Sequence, residues 1–389
     1  MTSSSPSFAL KSVCCGLLAL SALSGCTERT GADAFAEGSA AYAVRDFRKA
    51  TKAFAECVEI EAGNVDGWMM LARAHLDLAE IPQARKALDA ALQLAGGDTD
   101  VVEFDGQLAY HERDYARARA AYLKLAADDK AGNAVRSRGY GGLAVIDMAS
   151  LGKSAPAETR ARARVALMEA IRLDSLNLAA RYHLGRLYRD AYGYCEAALD
   201  QFDIYVRYET QSVDKVQSVQ RKVIPGLRDQ IAQAAAHRSG VDRRDSAASA
   251  AALKKAEEAW KKGTFKTAKL RYNDALVADV LNYEAALGLA RCWEKTDPSP
   301  SGLREALKYY TAAAQLHPSS RDVLMTCGDL AYRIGNHASA VEAYSRAVAV
   351  RPTDISAIDG LIRSLQKRGD AKSAAIYQKY RNGLPVRRK

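Results

Sequence analysis

The chain has 389 residues, 48% of them hydrophobic, so it is long enough to bury a substantial core. Its 7% aromatic share and its wealth of alanine favour closely packed helices and make an all-α protein the first expectation. The formal net charge of +10 favours anionic surfaces or acidic partners.

The first 25 residues resemble a targeting segment. A Ser-rich start with one cation, Lys11, precedes an apolar run from Val13 to Leu23. That run is too short to span a membrane as a stable helix. We therefore predict a signal segment over residues 1–25 and exclude it from the fold.

The apolar run ends in Leu23-Ser24-Gly25-Cys26, which resembles the bacterial lipobox. The resemblance implies that Cys26 receives a diacylglyceryl group and becomes the first residue after cleavage. Two or three acyl chains would anchor the chain permanently, because each buried methylene contributes roughly 0.8 kcal/mol. Thr27, which is not Asp, implies by the same resemblance the outer membrane, with the chain facing the periplasm. An ordinary signal peptide or an uncleaved helix is the alternative.

Export and cysteine usage narrow the classes of partner and cofactor. Loss of Lys11 with the signal would leave 55 cations against 46 anions, about +9, which suits envelope surfaces, glycans or acidic proteins but not nucleic acid. Beyond Cys26 the mature chain keeps Cys57, Cys195, Cys292 and Cys327, without the spacing of a zinc site. Core positions are favoured for them over a disulfide, and no pairing follows from the sequence.

A period of 34 residues begins near Gly31, Val65 and Thr99. Four kinds of position keep this step: Gly38, Ala72, Gly106; Phe47, Ile81, Tyr115; Ala50, Ala84, Ala118; and Phe54, Leu88, Tyr122. The alanines permit close approach of two helices, and the large residues one turn later fill the space between them. The pattern predicts pairs of helices in which small and large side chains interlock.

The period resumes near Leu184 and Gly263 and is clearest towards the end of the chain. Its best match is Gly328, Ala331, Gly335-Asn336, Ala340, Tyr344, Ala347-Val348 and Pro352. This pattern resembles the tetratricopeptide repeat family, which implies a right-handed superhelical solenoid of about nine helical hairpins. Gly335 and Gly369 are expected to form the turns between helices, where a positive φ is needed.

Departures from the period predict the organisation of the chain. Extra residues after Leu151 and at Asp297–Ser301 predict longer turns, and Pro225-Gly226 predicts an interrupted helix. The polar run Ser239–Ser246 predicts a linker between two arrays. The resulting domains are a lipidated linker (26–30), an N-terminal array (31–238), the linker between the arrays (239–246), a C-terminal array (247–382) and a basic tail (383–389).

The sequence offers little chemistry. Gly152-Lys153-Ser154 imitates the end of a phosphate-binding loop, but Asp147 stands where that loop needs a glycine. His111-Glu112 lacks a second histidine at Tyr115, so a zinc-protease motif is absent. We predict no metal, no cofactor and no enzymatic activity.

In stacked hairpins the first helices line one surface, which is the candidate for partner binding. It would present Tyr42, Met69, Arg73, Tyr110, His111, Tyr182, Arg186, Arg189, Trp260, Arg291, Tyr332 and Arg363. Aromatic side chains and arginines suit recognition of an extended or helical acidic segment. The alternative is that the aromatic rings only pack between neighbouring helices while the arginines are solvated.

The combination resembles envelope lipoproteins built of such repeats, the pilotins of type IV pili among them. It predicts a scaffold or adaptor that holds proteins of an envelope assembly or secretion machine. Two alternatives stay open. One is a module that binds anionic glycan or lipid, and the other is a non-catalytic regulator of a cell-wall enzyme.

Overall fold

The computed structural model describes residues 29–151, 155–238 and 245–385, and the side chains of 232–238 are outside this description. The predicted signal segment, Cys26, the motif at 152–154, most of the predicted linker and the end of the basic tail therefore lie outside the described residues. Within the described ranges every regular element is a helix. The predicted all-α solenoid class is confirmed.

The chain divides into two compact units, Met1–Ala87 and Leu88–Lys389. The first contains α1 (Gly31–Ala43), α2 (Phe47–Ile60), α3 (Val65–Asp77) and the first half of α4 (Ile81–Ala95). The predicted division at 239–246 stays a prediction, because six of its eight residues lie outside the description.

The second unit continues in the same manner. Its helices are α5 (Thr99–His111), α6 (Tyr115–Ala127), α7 (Asn133–Ala149), α8 (Ala157–Leu173), α9 (Leu178–Leu187), α10 (Cys195–Tyr208), α11 (Val213–Ser218), α12 (Ile224–Arg238), α13 (Ser246–Lys261), α14 (Phe265–Ala278), α15 (Tyr283–Thr296), α16 (Pro300–Leu316), α17 (Arg321–Arg333), α18 (His337–Val350), α19 (Ile355–Lys367) and α20 (Ala371–Gly383). Two π-helical turns, Tyr188–Tyr192 and Val219–Val223, follow α9 and α11.

Short polar residues start many of these helices. Asn64, Asn282, Asn336 and Asp354 each accept a backbone N–H of the first helical turn through the side chain. Each such cap stabilises its helix by about 1 kcal/mol. Asn64 and Asp98 are caps 34 residues apart, and so are Asn336 and Asp370, so the step extends to where these helices begin.

In seven hairpins of the described ranges, the turn between the two helices uses one residue in the left-handed region. Gly335 and Gly369 have φ of 77° and 86°, as predicted. Arg45, Ala79 and Arg113 occupy the same register with φ of 63°, 59° and 63°, although their side chains disfavour that conformation. The hairpin therefore imposes this turn even where the sequence provides no glycine.

We expect Ala79→Gly to raise the free energy of unfolding by about 0.5–1 kcal/mol, because glycine adopts a positive φ without steric cost. Urea unfolding followed by circular dichroism measures it. The matched control is Gly335→Ala, which should lower stability by a similar amount. A loss of stability in Ala79→Gly would contradict this explanation of the turn.

Glycines and second-helix aromatic rings form the hairpin cores. A Cβ added to Gly328 would lie 2.7 Å from the Tyr344 ring, and one added to Gly360 would lie 2.5 Å from it. Tyr122 has the same relation to Gly106 and Gly142. One ring thus packs between first helices of successive hairpins, so the predicted interlock of small and large residues is confirmed.

Two predicted irregularities are wrong in detail. The insertion at Asp297–Ser301 is only partly a turn, because Ser299 caps α16 and Pro300 begins it. Proline suits a first helical position, since its missing N–H has no partner there anyway. Pro225 does not break its helix either. It lies in the first turn of α12, directly after the π-helical turn Val219–Val223, which accommodates the lost hydrogen bond.

The segment from α11 to α12 has no partner hairpin and packs on α10. Val219, Ile224 and Leu227 are buried, whereas Arg221 and Arg228 are exposed. One apolar face and one polar face suit a helix that covers the end of a stack.

The helices of the last hairpins also contact an earlier part of the second unit. α20 packs against α8, and Ala161 and Met168 of α8 share a core with the last three hairpins. Residues more than 150 positions apart therefore meet inside one compact unit.

Candidate protein-interaction face

One exposed position recurs on the first helix of each of the last four hairpins. It holds Glu257, Arg291, Asp329 and Arg363, which keep the 34-residue step apart from the insertion after Asp297. We call these four residues the charged row. Its charges alternate in sign from one hairpin to the next, so the face is mixed rather than simply basic.

Second-helix tyrosines hold carboxylates on this face. Tyr310 donates its hydroxyl to Glu294 at 2.7 Å, and Tyr344 donates its hydroxyl to Asp329. Burial, followed by these hydrogen bonds, raises the pKa of both tyrosines, so they remain donors. The carboxylates are therefore fixed in position, and Arg333 lies 3.8 Å from Glu294.

The row arginines are available for contact. Arg291 and Arg363 are exposed, and neither forms an ion pair with any residue that the structure describes. The Arg363 guanidinium lies 5.7 Å from the centre of the Tyr332 ring, a cation–π contact that needs none of its N–H groups as hydrogen-bond donors. Each can thus take a carboxylate or a backbone carbonyl from a partner.

The predicted aromatic residues of this array are only half exposed. Trp260 packs edge-on against Phe265, with ring centres 4.8 Å apart. Tyr332 lies 5.3 Å from the ring of His337. Each ring rests on the first residue of the following helix, so it supplies a partly covered apolar surface beside the charged row.

Around α9 the predicted residues form a separate cationic group. Lys215 of α11 lies 3.9 Å from the centre of the Tyr182 ring, which also packs on Tyr205. Arg189 binds Asp190 through Nε at 2.6 Å, and Arg186 lies 3.9 Å from the same carboxylate. Lys215 therefore covers part of the surface that the sequence assigns to a partner.

His183 belongs to this group and predicts a pH dependence. Burial, followed by repulsion from Lys215 and Arg186, lowers its pKa to about 4. In the unfolded chain His183 binds a proton below its ordinary pKa near 6.5, whereas in the folded chain it stays neutral until the pH is much lower. We expect up to about 3 kcal/mol of stability, present above pH 6.5, to be lost as the pH falls towards 4.

Unfolding free energies at pH 7.5 and 4.5 measure this effect, with His183→Gln as the reference. The wild type should lose more stability than the variant over this interval. Equal losses would show that protonation of His183 is not the cause.

Residues in the first unit include one wrong prediction. Met69 lies on α3 and is only 6% exposed, so a partner cannot reach it. Tyr42 is half-buried and donates its hydroxyl to Asp77; burial and then that hydrogen bond raise its pKa to about 12.

Tyr110 and His111 lie in the second unit at the end of α5. Tyr110 is half-buried and His111 is exposed, and their rings are 6.1 Å apart. Tyr110 also packs edge-on against Tyr115, which begins the next helix. Here too an aromatic residue of the predicted face packs within its own hairpin and is only partly exposed.

Sequence reasoning missed the acidic half of the face. Glu257, Glu294 and Asp329 share register positions with Arg291, Trp260 or Tyr332, so the 34-residue step alone would have found them. A search restricted to aromatic residues and arginines passed over them.

Other features of the described ranges bear on chemistry. Within them no group of His, Cys, Asp and Glu could hold a metal, and no helix is long and apolar enough to cross a membrane. Cys57, Cys292 and Cys327 are buried free thiols, and Cys195 is half-buried.

Comparison with known proteins decides the family. Two family models, each described as a tetratricopeptide repeat, match residues 41–104 and 301–355. The chain contains tetratricopeptide repeats in these two stretches. Its general role is therefore that of a protein-interaction scaffold, in a family that is typically non-catalytic.

Two solved structures are similar to parts of this repeat protein. One, titled functional characterization of Pseudomonas aeruginosa pilF, is 16% identical, covers 52% of this chain and 90% of its own, and has a TM-score of 0.40. The other, MamA, is 16% identical, covers 51% of this chain and 92% of its own, and has a TM-score of 0.30. No curated protein matches the tetratricopeptide chain in sequence.

Proposed function

We propose that this tetratricopeptide protein is an envelope-anchored adaptor that holds proteins of an assembly or secretion machine. The observation that carries the proposal is the charged row, an exposed charge on each of the last four hairpins with alternating sign. A regular row of this kind is suited to one partner segment running across the hairpins. Charged rows also set partner choice and association rate more than affinity.

The row favours a partner segment that carries both signs of charge. Neighbouring helices lie roughly 8–10 Å apart, and an extended chain advances about 3.3 Å per residue. A segment crossing Glu257, Arg291, Asp329 and Arg363 would therefore meet one charge about every third residue. Its order would be basic, acidic, basic, acidic. The arginines alone predict an acidic partner segment. The charged row predicts a segment in which acidic residues alternate with basic ones.

Anchoring rests on the sequence Leu23-Ser24-Gly25-Cys26. A lipidated Cys26 lies only a few residues before α1 and would keep the scaffold close to the membrane. We place the protein at the outer membrane, facing the periplasm, on the character of Thr27.

The anchor is tested by fractionating cells that express the native chain or Cys26→Ala and by mass spectrometry of the mature amino terminus. We expect a diacylglyceryl-modified Cys26 and recovery of the native chain with membranes. Cys26→Ala should not be processed to an acylated form. An unmodified amino terminus in the native chain would overturn the anchor and leave the interaction scaffold standing.

A second candidate is a module for anionic glycan or lipid. It is favoured by the net charge of +10 and by the cluster of Arg186, Arg189 and Lys215. Binding of this kind should weaken steeply as salt rises, because exposed charges are screened. Binding to vesicles containing an anionic lipid, measured at 50 and 500 mM salt, separates this candidate from the adaptor.

A further inference from the structure

Arg164 of α8 is fully buried where α8 meets the last two hairpins. Its Nη1 donates to the Ser345 hydroxyl at 2.6 Å, and its Nη2 donates to the Ser345 carbonyl oxygen at 2.7 Å. Ser345 lies on α18, so these bonds join helices from distant parts of the sequence.

Tyrosines complete the surroundings of this guanidinium. The ring centres of Tyr188 and Tyr192 lie 5.4 and 5.3 Å from its central carbon, and that of Tyr377 on α20 lies 6.0 Å away. No carboxylate among the described residues pairs with Arg164, and its Nε has no acceptor there. A buried cation without a counter-ion is costly, and aromatic rings offset that cost only in part.

The contact differs from the hairpin cores in its packing. The hydroxyls of Tyr188 and of Ser373 on α20 are both buried, and neither has a hydrogen-bond partner among the described residues. A cleft of about 390 Å³ lies beside the contact, lined in part by Tyr192, Tyr194 and Arg346. The tight interlock of glycine and aromatic ring seen around Tyr344 is absent from this boundary.

Ion pairing across the boundary is also weak. Lys372 of α20 lies 3.2 Å from Glu158 of α8, but its side chain is 81% exposed. Exposed pairs of this kind contribute little in water. Polar contacts, unpaired groups and a cleft therefore lie beside the apolar contact that Ala161 and Met168 make with the last hairpins. Interfaces of mixed polarity are typical of contacts that can open.

We propose that Arg164, with Tyr188, Tyr192 and Tyr194, forms a docking socket for a partner helix that carries a carboxylate, and that α18 and α20 occupy this socket in the closed chain. A carboxylate accepts two parallel N–H bonds from a guanidinium and also supplies the negative charge. Ser345 accepts two such bonds through its hydroxyl and carbonyl oxygens but supplies no charge. The occupant seen here is itself a helix, so the socket already fits that shape. This inference rests on the chain being an interaction scaffold.

The probe for the socket is a labelled peptide of residues 337–350 carrying Ser345→Asp, which copies α18 with a carboxylate at the position facing Arg164. Fluorescence anisotropy measures its binding to the full chain. We expect it to bind at least about tenfold more tightly than the unmodified peptide, because a charge-assisted bond replaces a neutral one.

Two full-length variants complete the test. Arg164→Met should weaken binding of the acidic peptide at least about tenfold, since the guanidinium is lost. Ser345→Asp in the chain itself should also exclude the peptide, because its own carboxylate then occupies the socket. Arg172→Met is the matched control on α8: Arg172 pairs with Glu169 of its own helix and should leave binding unchanged. Circular dichroism checks that each variant stays helical.

Equal affinity of the two peptides, unchanged binding to Arg164→Met, or no binding to the native chain would each overturn the socket. The scaffold proposal has a separate outcome. If the Ser345→Asp chain keeps every partner recovered from cells, the scaffold stands and the socket does not.

Discussion

Tyr344→Ala is expected to lower the free energy of unfolding by about 3–5 kcal/mol. The ring is 1% exposed and packs between Gly328 and Gly360, which belong to successive hairpins. Its removal leaves a cavity that no side chain can fill, because both neighbours lack a Cβ. The loss therefore uncouples two hairpins as well as removing apolar contact.

Urea unfolding of the two chains measures this loss, with Tyr344→Phe as the matched control. Phenylalanine keeps the ring and removes only the hydroxyl that binds Asp329, so we expect a cost of about 1 kcal/mol. Similar losses in both variants would assign the stability to the hydrogen bond and contradict the packing account.

Charge reversal in the charged row should have the largest effect on binding. Arg291→Glu combined with Arg363→Glu turns alternating charges into four carboxylates, with Glu257 and Asp329. We expect recovery of partner proteins to fall at least about tenfold, because like charges facing a partner's acidic groups cost several kcal/mol. Stability should change by less than about 0.5 kcal/mol per site, since both arginines are exposed.

The matched control is Arg271→Glu on α14. Arg271 is exposed and pairs with Asp274 of its own helix, away from the row. It should leave partner recovery unchanged. If Arg271→Glu reduces recovery as strongly as the row variant does, binding depends on overall charge and not on the row.

The sequence was sufficient for features that repeat. The step of 34 residues predicts the hairpins, the turn glycines Gly335 and Gly369 and the packing of Tyr344, because each depends on residues close in the chain. Met69 shows the limit of this reasoning. An error of one helical position moves a side chain from the surface to the core, since each residue turns the helix by about 100°.

The Arg164 contact shows a second limit. Arg164 and Ser345 are 181 residues apart, and no period connects them. An arginine on a helix is normally expected at the surface, so only the structure places this one in a core.

The central claim is that this tetratricopeptide protein holds other envelope proteins. Crosslinking in intact cells, followed by affinity recovery and mass spectrometry, tests it most directly when the native chain is compared with Cys26→Ala and the double row variant. The account predicts a defined set of envelope proteins that depends on Arg291 and Arg363. Recovery of glycan or lipid alone, without protein partners, would contradict it.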